Sequence, residues 1–328
     1  MGGAGYGSGP VARCFVTRQL PGPALSRLQQ AHEVVIWDGR LPPTATELAR
    51  QAAAAEGLLT LLTDRVDAAL IESSPGLRAI SNYAVGVDNI DLDAATRSGI
   101  PVGNTPDVLT EATADLTFAL LLAAARKLPE AIEAVGEGDW VTWEPARYLG
   151  REVQGATLGI IGFGRIGRAV ARRAEGFQML VVYAGRGDPI DGLLSDADFV
   201  SLHAPLTPET HHLIDDHALR KMRRTAILVN SARGGLVDQV ALTRALEQGS
   251  IAGAALDVTE PEPLPPDDPL LRAPNLIVTP HIGSATQAAR ERMAELAVEN
   301  LLAGLDGRPM PHQANVLPEG ARARHRPN

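Results

Sequence analysis

From Val11 to about Gly103, short runs of aliphatic and β-branched residues alternate with stretches whose apolar positions recur at helical spacing. The short runs predict strands at residues 13–17, 33–37, 57–62, 77–81 and 101–103. Helical spacing falls near 23–31, 44–55, 67–73 and 91–98. Thr44, with Glu47 three residues later, is a capping-box signature for the second of these helices. Alternating βα units imply a parallel sheet covered by helices, a small α/β domain in its own right.

Residues 105–127 then read as one long helix, with Pro106 near its start and Arg126-Lys127 in its last turn. Leu109, Leu116, Phe118, Leu120, Leu121 and Leu122 place apolar surface on more than one face, so burial on several sides is expected. Stretch 136–145 (GEGDWVTWEP) carries Trp140 and Trp143 in a polar, turn-rich setting, the composition of an interface arm or of a cover for the domain's own surface. A second βα series follows, with strands expected at 179–183, 199–202, 226–230, 253–256 and 276–279. The last helix, 287–303, falls after this series and could return to the first domain, which would then be discontinuous in sequence.

The second series opens at residues 155–173, GATLGIIGFGRIGRAVARR. Leu158, Ile160 and Ile161 form an apolar strand that runs into Gly162-Phe163-Gly164-Arg165-Ile166-Gly167, and a helical segment follows. That is G-x-G-x-x-G between a strand and a helix, the context that makes it a dinucleotide fingerprint. Gly162 permits the tight turn, Gly164 lets the backbone approach a pyrophosphate, and Gly167 allows close helix–strand packing. The helix N-terminus offers N–H groups and a positive dipole end to the phosphates.

Composition narrows the class. A chain of 328 residues favours two domains. With 45% hydrophobic but only 4% aromatic residues, the core is aliphatic. A net charge of −9 argues against a nucleic-acid surface. The single cysteine, Cys14, excludes an internal disulfide framework and fits a reducing compartment. Residues 1–10 lack the charged and apolar regions of a signal peptide, and the apolar stretch 116–125 is too short to span a membrane. A cytoplasmic protein, free of membrane or nucleic-acid partners, is expected. Residues 1–10 (Gly-rich) and 319–328 (EGARARHRPN) read as disordered tails.

Three residues beyond the glycine turn stand at consecutive strand ends. Arg233 follows the buried-strand pattern AILVNSARGG, Glu262 lies in LDVTEPEP after the next strand, and His281 follows LIVTP. Ligands of α/β sheets bind at the C-terminal ends of strands. A guanidinium grips a carboxylate bidentately, and a His held by a carboxylate is a proton donor. Each residue alone has a bland structural explanation; their convergence is what points to chemistry.

The motifs NYAVGVDNID, GIPVGNTPDVLTEATADLTFALLLAAAR, GIIGFGRIG, PLTPETHHLI, LVNSARGGLVDQ, LDVTEPEPLP and TPHIGSAT run through residues 11–312. On them the chain resembles the D-2-hydroxyacid dehydrogenases, nearest to their glyoxylate/hydroxypyruvate reductase branch. The resemblance implies an α/β architecture: a Rossmann-type doubly wound cofactor domain at 105–286, and a smaller flavodoxin-like α/β substrate domain at 11–104 completed by about 287–318. It implies reduction of a small 2-oxo acid to the 2-hydroxy acid by NAD(P)H, with Arg233, Glu262 and His281 as catalytic residues and His281 as general acid. Substrate contacts are implied for Val85, Gly86, Arg233, Asp257, His281 and Ser284. Cofactor contacts are implied for Gly162, Gly164, Arg165, Ile166, Gly167, Gly185, Arg186, Pro205, Ser231, Asp257 and Gly283. An active site between domains that close on substrate, and a homodimer built with the long helix and the Trp140/Trp143 arm, complete what it implies.

An NAD-preferring site wants Asp or Glu at the end of the second Rossmann strand. Here that end reads Val181-Val182-Tyr183-Ala184-Gly185-Arg186, so NADP(H) is the expected cofactor and NAD(H) the alternative. Asp188, if turned inward, would weaken the preference. One departure stands out: residues 187–197 hold no clear strand where the family usually fits a helix and a short strand, which would leave 179–183 as an open sheet edge. His203, His211, His212 and His217 invite a metal reading, but there is no Cys or carboxylate cluster at ligand spacing, so solvated or supporting histidines, and no metal, are expected. Two other functions remain: a dehydrogenase for another 2-oxo acid such as phosphoglycerate, against which Ser81 to Ile90 supplies no basic residue, and a dinucleotide-sensing, corepressor-like protein.

Overall fold

Every strand expected from the apolar runs forms, within two residues at either end, in the computed structural model, which describes residues 10–318. The expected tails fall outside the described residues, Pro10 apart. The chain divides into two units, one of Met1–Leu109 with Thr286–Asn328 and one of Thr110–Ala285.

In the first unit β1 (Arg13–Val16), β2 (Glu33–Ile36), β3 (Gly57–Thr60), β4 (Ala79–Asn82) and β5 (Val102–Gly103) form one parallel sheet in the order β2-β1-β3-β4-β5. This is the flavodoxin-like order. Helices α1 (Ala24–Ala31), α2 (Ala45–Ala53), α3 (Ala68–Glu72) and α4 (Leu92–Arg97) connect the strands. Thr44 caps α2 as its sequence demands, its hydroxyl accepting from Glu47 N at 3.2 Å; Asp67 and Asp91 cap α3 and α4 in the same way.

The second unit begins with α5 (Thr110–Ala125), five residues later than the hydrophobic pattern suggests. Asp107 takes a left-handed φ of 70°, which a helix cannot accommodate, so 105–109 stay outside it. Lys127, at φ 51°, ends that course, and a helix not foreseen from the sequence, α6 (Leu128–Gly136), follows with Pro129 in its first turn. Strands β6 (Thr157–Ile161), β7 (Leu180–Ala184), β8 (Phe199–Leu202), β9 (Ile227–Asn230), β10 (Gly253–Leu256) and β11 (Leu276–Val278) pair in parallel in the order β11-β10-β9-β8-β6-β7. Their side chains alternate between two cores. Leu158, Ile160, Val229 and Ala255 pack with Phe118 and Leu121 of α5 and with Ala169 and Val170 of α7 (Arg165–Glu175). Val200, Leu202, Leu228 and Leu256 pack on the opposite face with Leu242 and Leu246 of α10 (Gln239–Glu247), a face also crossed by α8 (Asp191–Asp196) and α9 (Asp216–Lys221). Helices on both faces make this sheet doubly wound.

Between β7 and β8 the chain makes only α8 and no strand, so β7 is the sheet edge, with Leu180 and Tyr183 exposed. The final helix, α11 (Gln287–Leu305), belongs to the first unit and lies on β3 and β4. Ser81 Oγ donates to Ala297 O at 2.8 Å, and a side chain at Gly304 would press on Ala79 Cβ at 2.8 Å.

Candidate active site

In the second unit the chain reverses its direction of travel across the sheet between β6 and β8, and the glycine turn sits at that switch point. Gly162 has φ 93°, and a Cβ there would collide with Ala204 N and His203 C beyond β8. A Cβ on Gly167 would strike Gly162 O. Gly164 differs: nothing lies within 4 Å of where its Cβ would stand. Gly164 is also the N-cap of α7 and gives its first N–H groups no side-chain acceptor. An open approach to uncapped helical N–H groups fits a pyrophosphate. Arg165 and the partly buried Ile166 form the first helical positions.

At the end of β7, Gly185 N donates to Asp188 Oδ2 at 2.8 Å. Asp188 is therefore turned toward the strand end, the condition that weakens a preference for a 2′-phosphate. Arg186 is exposed and lies within electrostatic reach of Glu209. That carboxyl is held below the usual range by the Thr207 hydroxyl and its own backbone N–H, and to a lesser degree by Arg186. Pro205 belongs to the same loop, its carbonyl accepting from Thr210 Oγ1 at 2.7 Å. Phe163, inside the glycine turn, stacks on Tyr183 with ring centroids 3.9 Å apart, and Arg168 lies over its ring. Tyr183 belongs to the open edge strand β7, and the sequence gives no signal of this pairing.

Three strand ends deliver the residues selected for chemistry. After β9 the buried Asn230 clamps the outgoing chain, its Nδ2 donating to Arg233 O at 2.8 Å and its Oδ1 accepting from Ala232 N at 3.0 Å. Arg233 leaves the clamp in an extended conformation, with Nη1 donating to Ala232 O at 2.8 Å. Ser231 is buried, and its Oγ lies 2.7 Å from Thr117 Oγ1 of α5.

After β10, Asp257 is only 1% exposed and organises the loop beyond β11. Its carboxylate accepts from Thr279 Oγ1 at 2.6 Å, Ile282 N at 2.8 Å and Gly283 N at 2.7 Å, and its carbonyl accepts from His281 N at 2.9 Å. A Cβ at Gly283 would stand 3.2 Å from that carboxylate. Inside this frame His281 takes a left-handed φ of 54°, a costly geometry for a side-chain-bearing residue that the Asp257 bonds support. His281 Nδ1 meets Glu262 Oε1 at 2.5 Å, with the two side chains 24% and 30% exposed. A carboxylate on Nδ1 fixes the orientation of the ring and leaves Nε2 as its second nitrogen. Ser284 follows Gly283 and is partly buried.

The structure thus places Arg233, Asp257, Glu262, His281, Gly283 and Ser284 in the second unit. Val85 and Gly86 belong to the first, after β4. Their carbonyls are held by Asn104 Nδ2 at 2.8 Å and Asn82 Nδ2 at 2.9 Å, so side chains brace that loop from both directions.

The histidines divide. Desolvation pushes His203 down to about 4, and its Nε2 lies 2.8 Å from Ser201 Oγ. His217 is exposed, 4.0 Å from Asp191. His211 and His212 meet the carboxylate of Glu260, a partner that arrives from a loop distant in sequence. Among the described residues no helix is long and apolar enough to cross a membrane.

The profile of the D-isomer specific 2-hydroxyacid dehydrogenase NAD binding domain matches residues 118–283. A protein of Korarchaeum cryptofilum (strain OPF8) named glyoxylate reductase is 50% identical over 317 residues, covering 92% of this chain and 96% of its own. The glyoxylate reductase of Thermococcus litoralis is 46% identical over 321 residues, with the same coverage of each chain. Among solved structures, a Thermus thermophilus protein superposes with TM-score 0.87 at 51% identity, over 92% of this chain and 99% of that one. An NADPH-dependent glyoxylate/hydroxypyruvate reductase from Sinorhizobium meliloti, in complex with NADP and malonate, gives TM-score 0.81 at 32% identity, over 92% and 96%.

Proposed function

This chain belongs to the D-isomer specific 2-hydroxyacid dehydrogenase family and is an oxidoreductase, and from that premise we propose that it reduces glyoxylate and hydroxypyruvate to glycolate and D-glycerate with NADPH as preferred donor. The observation that carries the reading is the His281–Glu262 pair, framed by the Asp257 bonds, with Arg233 delivered through the Asn230 clamp from the neighbouring strand end. Relatives named glyoxylate reductase across most of the chain support the choice of substrate.

The reduced nicotinamide, when bound, supplies the hydride that becomes the C2–H of the product. Gly164, Arg165, Ile166 and the first N–H groups of α7 would hold its pyrophosphate, and Gly185, Arg186 and Pro205 its adenosine side. Arg233 binds the substrate carboxylate and polarises the C2 carbonyl. His281 donates the proton from Nε2 to the oxygen that develops alkoxide charge. Glu262 holds the ring through Nδ1 and so aims Nε2, and one proton and one hydride add across C=O. Val85 and Gly86 are the substrate-carboxylate loop of the first unit.

Arg186 supports NADPH through its capacity to pair with a 2′-phosphate, and Asp188 tempers it. A homodimer is supported by the apolar surface of the arm and of α6: Trp140 is 68% and Trp143 80% exposed, and Ile132 and Val135 stand in solvent as well.

The test is NADPH consumption, followed by absorbance, with glyoxylate, hydroxypyruvate and pyruvate. Turnover highest with the first two is expected. No turnover with any of them, alongside intact NADPH binding, would replace the enzyme reading with a dinucleotide sensor.

A further inference from the structure

We propose that His211, His212 and Glu260 form a binding site for one divalent transition-metal ion of the zinc, nickel or copper class. His211 Nε2 lies 3.5 Å and His212 Nε2 3.7 Å from the same carboxylate oxygen, Glu260 Oε2. The three donor atoms all fall within 4.8 Å of one another. Ligand atoms on one tetrahedral zinc ion, each about 2.0–2.1 Å from the metal, stand roughly 3.3 Å apart. Side-chain rotations of about an ångström would close the set, and two imidazoles with one carboxylate suit these borderline cations better than magnesium or calcium.

The arrangement is built by the backbone. Successive side chains normally diverge, by a quarter turn or more on a helix and to opposite faces on a strand. Here His212 adopts a left-handed φ of 54°, and the two rings stack with centroids 3.9 Å apart on one side of the chain. Gly235 holds both partners. Its carbonyl accepts from His212 N at 2.8 Å, and its missing side chain makes room for Glu260, whose carboxylate oxygens would lie 3.2 Å from a Cβ there. Gln239 fixes the Glu260 backbone at both groups, accepting from its N–H at 2.8 Å and donating to its carbonyl. The segment after the histidines is tied on as well, with Ile214 N donating to Leu236 O at 2.9 Å.

Three loops therefore converge on one solvent-accessible point without contribution from Arg233, Glu262 or His281. An ion there would staple the loop beyond β8 to the loop beyond β10, which carries Glu262 two residues after Glu260. The expected consequence is a stiffer second unit.

Untagged full-length protein, cleared of metal with chelator, would be titrated with Zn²⁺ by calorimetry and with Co²⁺ by visible absorbance. One ion per chain is expected, with the intense d–d bands of a low-coordinate Co²⁺ site and a raised melting temperature. Glu260→Gln and His211→Gln should each weaken binding by at least about tenfold. His212→Asn, which tolerates the left-handed backbone, should do the same. Circular dichroism and NADPH binding of the metal-free variants should match the parent, so a folding defect cannot mimic the loss. Absence of saturable binding, or equal affinity in parent and variants, would overturn the site.

Discussion

His281 and Glu262 reach one another from the ends of different strands, with Nδ1 2.5 Å from Oε1. The pair is over-determined: His281 pays for a left-handed backbone that Asp257 supports from within the loop. Replacing His281 by Ala should lower kcat by about 10²–10⁴-fold, the range of a lost general acid, while the dissociation constant for NADPH stays near the parent value. Glu262→Gln keeps the shape but exchanges the carboxylate that orients the ring through Nδ1 for an amide, so a smaller loss of kcat is expected. Stopped-flow reduction and NADPH fluorescence titration separate the two quantities, and a His281→Ala enzyme with parental turnover would refute the general-acid role.

Asp257 makes a different prediction, because it holds His281 through the backbone. Asp257→Asn exchanges one acceptor oxygen for a donor while three hydrogen bonds converge on the carboxylate. At least one buried N–H or hydroxyl then loses its partner, which costs about 1–3 kcal/mol. Denaturant unfolding should show that loss, and kcat should fall as the His281 loop relaxes. A variant with parental stability would show that the loop is held by other bonds.

The two glycines of the turn should fail in opposite ways. Gly162 combines φ 93° with backbone atoms of His203 and Ala204 against any Cβ, so Gly162→Ala should destabilise the second unit and reduce soluble yield. Gly164 faces open space, and Gly164→Ala should leave the melting temperature nearly unchanged, within about 0.5 kcal/mol of parental stability. Its cost appears only on binding, where the methyl group stands in the approach to the α7 N-terminus. NADPH affinity should fall by at least about tenfold, or roughly 1.4 kcal/mol. Unchanged affinity in Gly164→Ala would mean the pyrophosphate does not lie there.

On the proposed reading, cofactor choice rests on Arg186 against Asp188. Loss of a charge-assisted bond to phosphate is worth about 1.5–3 kcal/mol, so Arg186→Ala should raise KM for NADPH by roughly 10–100-fold and KM for NADH far less. Asp188→Asn retains an oxygen for Gly185 N and removes the negative charge, and should shift the ratio further toward NADPH. Equal effects of Arg186→Ala on both cofactors would sink the assignment.

Much of this was legible in the residues because the determinants are local. Short apolar runs located the strands, and Thr44 with Glu47 set the start of α2. The missing strand after β7 was equally visible, since 11 residues from 187 to 197 leave room for α8 and little else. What escaped depends on backbone conformation or on contacts between distant segments. The start of α5 moved because Asp107 is left-handed, a state its sequence does not announce. Asp188 was noted, but only the structure turns it onto Gly185 N. Glu260 could not be matched to His211 and His212 because the loops that join them are separated by two strands, β9 and β10.

The last prediction concerns pH and a histidine outside the proposed chemistry. Desolvation holds His203 at about 4 in the folded protein, against 6.5 for the ordinary side chain. The folded value lies below the unfolded one, so between the two the unfolded chain binds the extra proton and acidification favours unfolding. The stabilisation from keeping His203 neutral is therefore complete above about 6.5 and is lost as pH falls through about 4. Its size is at most about 3 kcal/mol, the free-energy equivalent of that shift. Urea midpoints measured across this window should decline for the parent protein and decline less for His203→Asn, which has nothing to protonate there. Carboxylates contribute equally to both proteins, so the difference between the profiles isolates His203. Parallel profiles would mean that the ring is hydrated in solution and that Ser201 is not its lasting partner.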